Sequence, residues 1–264
     1  MEERPISPFL KGTAFVMFLF LLAPVILVVP ISFSADNYMS FPPSGWSLKW
    51  YAAFFSNSQM IGALGTSTLL ALIVTVLSLV IALPASYAIV RSRVFGAEAL
   101  LAFFTAPLLL PTIVLGLAIL IVFAGQGLLG TFHGLVIGHL VVVLPYALRV
   151  LTTSLSGLPL GVEEAAATLG ASPLTVFRRV TLPLMTPGIV ATSALAFLVS
   201  FDEAVISLFL TGPRLTTLPV AMYRHVDAQA DPLVASISVL LIVMTLAVVL
   251  VVDRSVGLGR TFVK

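Results

Sequence analysis

The chain has 264 residues, of which 59% are hydrophobic and 9% charged, against about 25% charged in a typical soluble domain. A compact core of this length cannot hide so much apolar surface behind so few charges. That excludes an ordinary soluble domain, a disordered chain and a nucleic-acid binder. Thirteen Lys and Arg against 11 Asp and Glu leave a formal net charge of +2, so the pI near 9.2 reflects a small excess of bases and not a basic surface. There is no Cys, hence no disulfide, thiolate metal site or Cys nucleophile. The three His residues, His133, His139 and His225, argue against a zinc site. The remaining class is a polytopic membrane protein.

A bilayer-crossing helix needs about 20 mostly apolar residues. Charge-free stretches run over Gly12–Ala35, Trp50–Val90, Ala99–Leu148, Val180–Phe201 and Pro232–Val252. The first resembles a signal peptide at Ser32–Ala35, but its apolar core exceeds the 7–15 residues of a signal h-region, so it is read as a span. The second opens with aromatic and polar residues, which places the start of its span near Ile61. The third is long enough for two spans, with Gly-rich breaks at Gly125–Gly127 and Gly130–Gly134. The apolar run after Val180 continues past Asp202 and Glu203 to Thr211. Six spans result, roughly 13–34, 61–90, 99–124, 133–155, 184–211 and 233–252, within a single transmembrane domain over 1–264. Continuous apolar runs favour a helical bundle over a barrel of short alternating strands.

Orientation follows from Lys/Arg bias. With the N-terminus inside, Arg4, Lys11, Arg91, Arg93, Arg149, Arg178, Arg179, Arg254, Arg260 and Lys264 fall inside, and Lys49, Arg214 and Arg224 outside. Both termini are therefore expected to be cytoplasmic. In the first outer loop, the spacing of Trp46, Trp50, Tyr51, Phe54 and Phe55 suits a short amphipathic helix at the interface.

The inner connection between spans four and five, residues 157–183, differs from the other inner loops. Pro159 suits a first helical turn. Glu163 and Glu164 fall where the helix dipole favours acid, and Ala165, Ala166 and Ala167 are strong helix formers. Gly170 sits where a left-handed cap is expected. Ser172 and Pro173 read as an N-cap and first helical residue. A helix–turn–helix is expected, ending at Arg178 and Arg179 before Leu182 and Pro183. It fits either an amphipathic loop on the inner membrane surface or a docking element for a soluble partner.

This segment resembles the EAA loop of the membrane subunits of ATP-binding-cassette importers, in which Glu-Ala-Ala, three residues, Gly, nine residues, Ile, one residue and Leu-Pro follow in order. Here the positions are Glu164, Ala165, Ala166, Gly170, Val180, Leu182 and Pro183, with Val in place of Ile. Trp46 to Leu48, Trp50, Tyr51 and the run from Ala165 to Pro232 are also similar to this family. The resemblance implies an all-α, six-span type I importer permease of MetI-like fold in a bacterial inner membrane. Phe201 to Glu203, Thr211 to Pro213, Leu218, Pro219 and the stretch around Tyr223 resemble the second membrane subunit of spermidine/putrescine-type permeases. One departure stands out: spermidine-type members tend to carry an acidic residue after the proline of span three, whereas here Thr112 follows Pro111.

By that resemblance the chain supplies half of a translocation pathway and a second permease subunit the other half, most simply as a heterodimer. Two ATPase subunits bind ATP and Mg, and an extracytoplasmic binding protein delivers the solute. No phosphate-binding Gly-x-x-x-x-Gly-Lys-Ser/Thr loop occurs here, so no cofactor is expected in this chain and it is no enzyme. Glu164 is expected to contact the ATPase, or simply to stabilise its own helix dipole. Glu163 is expected to be a solvated neighbour.

On a continuous helix, Asp202 lies nine residues back from Thr211, about 13 Å at 1.5 Å per residue. Ionisable groups at such depth usually face a bundle interior or a water-filled pathway. Asp202 is read as facing the pathway and Glu203, about 100° away on a helix, as facing a protein neighbour. The structural alternative is an ion pair with Arg214 or Arg224. A carboxylate suits a cationic solute such as a polyamine, while a single carboxylate suits a monocation or an amino-acid-like, opine-like or aminophosphonate solute as well. Thr112 and Tyr146 are further pathway candidates. Pro107, Pro111 and Pro145 are expected to kink their helices, and His133 and His139, flanking span four, to be satisfied structural residues. The segment Gly212–Asp231 is either an outer loop or a contact for the binding protein. A secondary transporter or channel is disfavoured because the 157–183 pattern has no second copy. Intramembrane protease motifs are absent.

Overall fold

The structure is a computed structural model that describes residues 7–91 and 96–256. Arg4, Arg93, Arg260 and Lys264, which entered the charge count, lie outside the described residues. The helices are α1 (Pro8–Ser32), α2 (Lys49–Ser56), α3 (Ser58–Arg91), α4 (Ala97–Thr105), α5 (Thr112–Ala124), α6 (Phe132–Ser156), α7 (Leu160–Thr168), α8 (Pro173–Val176), α9 (Leu182–Leu184), α10 (Thr186–Asp202), α11 (Val205–Leu210), α12 (Leu218–Ala228) and α13 (Leu233–Val256). Among the described residues, α1, α3, α6 and residues Leu233–Arg254 are single helices long and apolar enough to cross a membrane. Two further crossings are bent pairs, Ala97–Leu109 with Thr112–Ala124 at 101° and Pro173–Leu184 with Thr186–Asp202 at 67°.

The segments expected over 99–124 and 184–211 are therefore not single straight helices, and the second bent pair runs from Pro173 to Asp202 and not on to Thr211. At Pro107 and Pro111 the chain passes through a 3-10 turn, Ala106–Leu109, and an extended Leu110 before α5 begins. Neither proline can donate a backbone hydrogen bond, and the expected kink is a full break. Pro145, by contrast, sits inside an uninterrupted α6. The expected helix over 184–211 stops at Asp202, with Glu203 extended at ψ 98° and α11 following. The depth assigned to Asp202 from a continuous rise thus does not apply. Residues 218–228 are helical, so Gly212–Asp231 is more than a loop.

The chain divides into two compact units, residues 62–221 with 245–264 and residues 1–61 with 222–244. In the larger unit α6 is central. One apolar cluster joins Leu70 and Val74 of α3, Ile119 and Phe123 of α5, Leu135 and Val143 of α6, Ala196 of α10, and Ile206 and Leu210 of α11. A second joins Ala82 of α3 to Leu148, Leu151 and Leu155 of α6 and to Met185. In lipid there is little hydrophobic gain in bringing apolar helices together, so association rests on close packing at small residues. Gly188 of α10 illustrates this: a Cβ there would stand 2.6 Å from Ser154 Cβ of α6. Some buried hydroxyls are satisfied within their own helices, as in Ser86 Oγ to Ala82 O at 2.6 Å and Thr192 Oγ1 to Gly188 O at 2.7 Å.

In the smaller unit α1 is exposed along nearly all its length, with Ser32 its one buried residue. Such a helix, apolar all round, presents its surface to lipid or to other chains. The following loop is organised by Asp36. Its carboxylate accepts hydrogen bonds from the hydroxyls of Ser34 at 3.0 Å, Ser40 at 2.6 Å and Ser44, and from the Ser44 amide at 3.0 Å. The Trp50 indole donates to Asp36 O at 3.2 Å, which ties the loop to α2. The expected short aromatic helix is α2, with Phe54 buried and Phe55 exposed. The hydroxyls of Ser40 and Ser44, then the Ser44 amide, hold the Asp36 carboxyl well below the usual carboxylate range.

Two predictions follow from these contacts. Gly188→Val forces α10 away from α6 and destabilises the protein by about 1–3 kcal/mol, read as a lower thermal midpoint in detergent; an unchanged midpoint contradicts the close packing. Because the folded loop favours ionised Asp36, its order is fully present above the ordinary carboxylate pKa of about 3.9 and is lost as pH falls below it. Hydrogen exchange at the Ser44 amide is expected to accelerate on acidification, relative to the same amide in Asp36→Asn. Equal protection in the two proteins at neutral pH contradicts the role of Asp36.

Candidate functional site

The connection between spans four and five folds as a short helix, a left-handed turn and a second short helix. Pro159 lies one residue outside α7, with extended ψ 119°, and not within its first turn. Gly170 adopts φ +88°, a conformation that favours glycine, and closes α7. Ser172 caps α8, its Oγ accepting from the Thr175 amide at 3.4 Å, with Pro173 opening the helix. A π turn over Phe177–Thr181 follows. Pro183 has no N–H to complete a regular turn there.

The two adjacent carboxylates of α7 are placed oppositely. Glu163, expected to be a solvated neighbour, is 8% exposed. Both its oxygens accept from Arg91 Nε, at 3.2 and 3.1 Å, and Oε1 also accepts from Thr181 Oγ1 at 3.1 Å. Arg91 Nη2 donates to the carbonyls of Leu155 and Leu158, each at 3.2 Å. The reason is angular: consecutive helical residues point about 100° apart, so when Glu163 faces the spans, Glu164 faces away. Glu164 is exposed, and its carboxylate has no partner among the described residues. Ala165 and Gly170 are exposed beside it, Ala166 and Leu182 half-buried, and Pro183 exposed. Leu169, at the end of α7, is 90% exposed.

At the break in span five, Glu203 Oε1 accepts from the Ile206 amide at 3.0 Å and so satisfies the first turn of α11. Asp202 is exposed, and among the described residues neither carboxylate pairs with Arg214, Arg224 or another base. His139 of α6 spans the break: Nδ1 lies 3.0 Å from Ser200 Oγ and Nε2 3.0 Å from Ser207 Oγ. It is a satisfied structural histidine as expected, whereas His133, expected to be another, is exposed. Thr112 and Tyr146 come together on one small cavity of about 50 Å3, with Pro107, Leu110, Leu115 and Val142 on its walls. Asp202 and Glu203 do not line it.

Sequence reasoning missed Arg91, Thr181, Ser200 and Ser207. Arg91 closes a 34-residue helix and counted only as an inner charge. A Glu among alanines on the same inner side was the available sign of its partner.

Residues 78–258 match the family described as the binding-protein-dependent transport system inner membrane component. The putrescine transport system permease protein PotI of Escherichia coli (strain K12) is 31% identical, over 92% of this chain and 89% of its own. The spermidine/putrescine transport system permease protein PotC of Haemophilus influenzae is 31% identical, over 89% of this chain and 91% of its own. Among solved structures, a bacterial ABC transporter involved in the import of the acidic polysaccharide alginate superimposes with a TM-score of 0.67 at 17% identity, over 100% of this chain and 99% of that one; it shares the fold. With more than half its length matched and its EAA-type loop folded as helix, left-handed glycine and helix, the chain belongs to the family of inner membrane components of binding-protein-dependent transport systems.

Proposed function

We propose that the whole chain acts as one transmembrane domain forming half of the solute pathway of an ATP-driven polyamine importer, with both termini cytoplasmic. Permeases of this family are non-catalytic and work with a partner permease, ATPases and a solute-binding protein. In this reading the partner is a second, different permease chain, and two ATPase subunits bind ATP and Mg. The binding protein docks on the outer side, near Gly212–Asp231.

The observation that carries the reading is the outward face of α7. Glu164 on α7 and Leu169 just past its end are both exposed, and they suit a cleft that offers a cation and an apolar wall. An ATPase docked there moves α7 when its dimer closes, and the spans respond as a two-state element. The polyamine assignment draws on the relatives PotI and PotC and on Asp202, an exposed and unpaired carboxylate at a helix break. Asp202 then attracts an ammonium group, while Glu203 holds the break open. A second reading, an amino-acid-like, opine-like or aminophosphonate solute, is favoured by Thr112, which follows Pro111 where spermidine-type members tend to carry an acid.

Glu164→Ala and Gly170→Asp are expected to insert normally but to weaken ATPase assembly, measured by co-purification; full assembly of both contradicts the docking role. Asp202→Asn is expected to lower putrescine uptake about 10- to 100-fold, the loss of one charge-assisted contact of about 1.5–3 kcal/mol, with assembly intact. Unchanged uptake kinetics assign Asp202 to structure.

A further inference from the structure

Along the chain α7 is joined only to α6, through Gly157, and to α8, through the left-handed turn at Gly170. The second span, α3, lies 72 residues from Glu163 in sequence. It reaches the loop through the side chains of its last turns. Arg91 and Tyr87, at i and i−4, occupy one face of α3. Tyr87 meets the ring of Phe177 edge-on at 5.0 Å, and Arg91 pairs with Glu163 at 3.1 Å. The same guanidinium holds the last carbonyls of α6, and the same carboxylate holds Thr181, which is fully buried on the way to α10. The second, fourth and fifth spans and α7 thus meet at one ionic node whose side chains are 11% and 10% exposed.

A buried ion pair is a weak source of net stability, because desolvation offsets its attraction. Its geometry is another matter. The guanidinium is a planar fork with fixed donor directions, and Arg91 uses it to fix α7 against α3 and α6 simultaneously. Glycine-hinged joints transmit a displacement poorly, whereas a multiply bonded node does so with little slack.

We infer that Arg91, Glu163 and Thr181 are positioning residues that transmit the movement of α7 to α3, so that breaking the node separates ATP hydrolysis from solute transport without preventing ATPase docking. The inference rests on the proposed docking of α7, and it assigns a separate duty to the inward face of that helix.

The test uses the complete importer in proteoliposomes, measuring ATP hydrolysis and solute uptake in the same preparation. Arg91→Gln, Glu163→Gln and Thr181→Val are expected to assemble with the ATPase subunits and hydrolyse ATP. Solute moved per ATP is expected to fall about tenfold in the first two, within the range of ordinary coupling between sites, and less in Thr181→Val. Because the chain has no cysteine, Arg91→Cys with Glu163→Cys introduces one defined thiol pair. Bridging it with a short bifunctional thiol reagent, in a cysteine-free set of partners, is expected to restore solute moved per ATP. A role confined to folding predicts loss of assembly and ATP hydrolysis together with uptake, and no change in solute moved per ATP. Unchanged transport per ATP in both glutamine variants overturns the inference. So does failure of the bridge to restore it, or loss of ATPase assembly in Thr181→Val. Failure of the docking reading is distinguished by Glu164→Ala, whose normal assembly contradicts that reading whatever the node does.

Discussion

A backbone that crosses hydrocarbon has no water to satisfy its amides and carbonyls, so it stays helical or hands those groups to side chains. Three places among the described residues show the second solution. Where α6 ends, Arg91 takes the carbonyls of Leu155 and Leu158. Where span five breaks, Glu203 takes the Ile206 amide, and His139 grips a serine on either side. Where α13 begins, Asp231 accepts from the Leu233 amide and from His225. In these positions the few polar side chains of an apolar chain are structural necessities. The polar groups left over are therefore informative, and Asp202 and Glu164 are two of them.

The same logic divides α7 into two faces. Its inner face is committed through Glu163 to the ends of the spans, and Glu164 is exposed with no partner for its carboxylate among the described residues. A helix so short has little stability of its own. It is held in the loop by its packing on α8 and the π turn, while the node at Arg91 links its inner face to α3, to the end of α6 and to the chain just after it. Docking and transmission are then properties of opposite sides of one nine-residue helix.

Much of this was legible in the sequence because it rests on local rules. Apolar length marked the six segments, and Gly170, Ser172 and Pro173 marked the turn and cap by conformations those residues favour. The break at Pro107 and Pro111 was legible as irregularity but not in extent, since a proline fixes its own φ and not the 101° bend that packing completes. The stop at Asp202 had no local signal: neither proline nor glycine stands there, and the break is stabilised by His139, 63 residues earlier. Glu163 was misplaced for a similar reason. Its burial depends on Arg91, and two adjacent acids in a helix look alike until a distant partner selects one.

ATP-dependent accumulation of putrescine in proteoliposomes, with the partner permease, the ATPase subunits and the binding protein present, tests the central claim most directly. The account predicts saturable accumulation that disappears when ATP or the binding protein is withheld. Accumulation that persists without ATP, or a complex that hydrolyses ATP on command of its binding protein yet moves no polyamine, would contradict it.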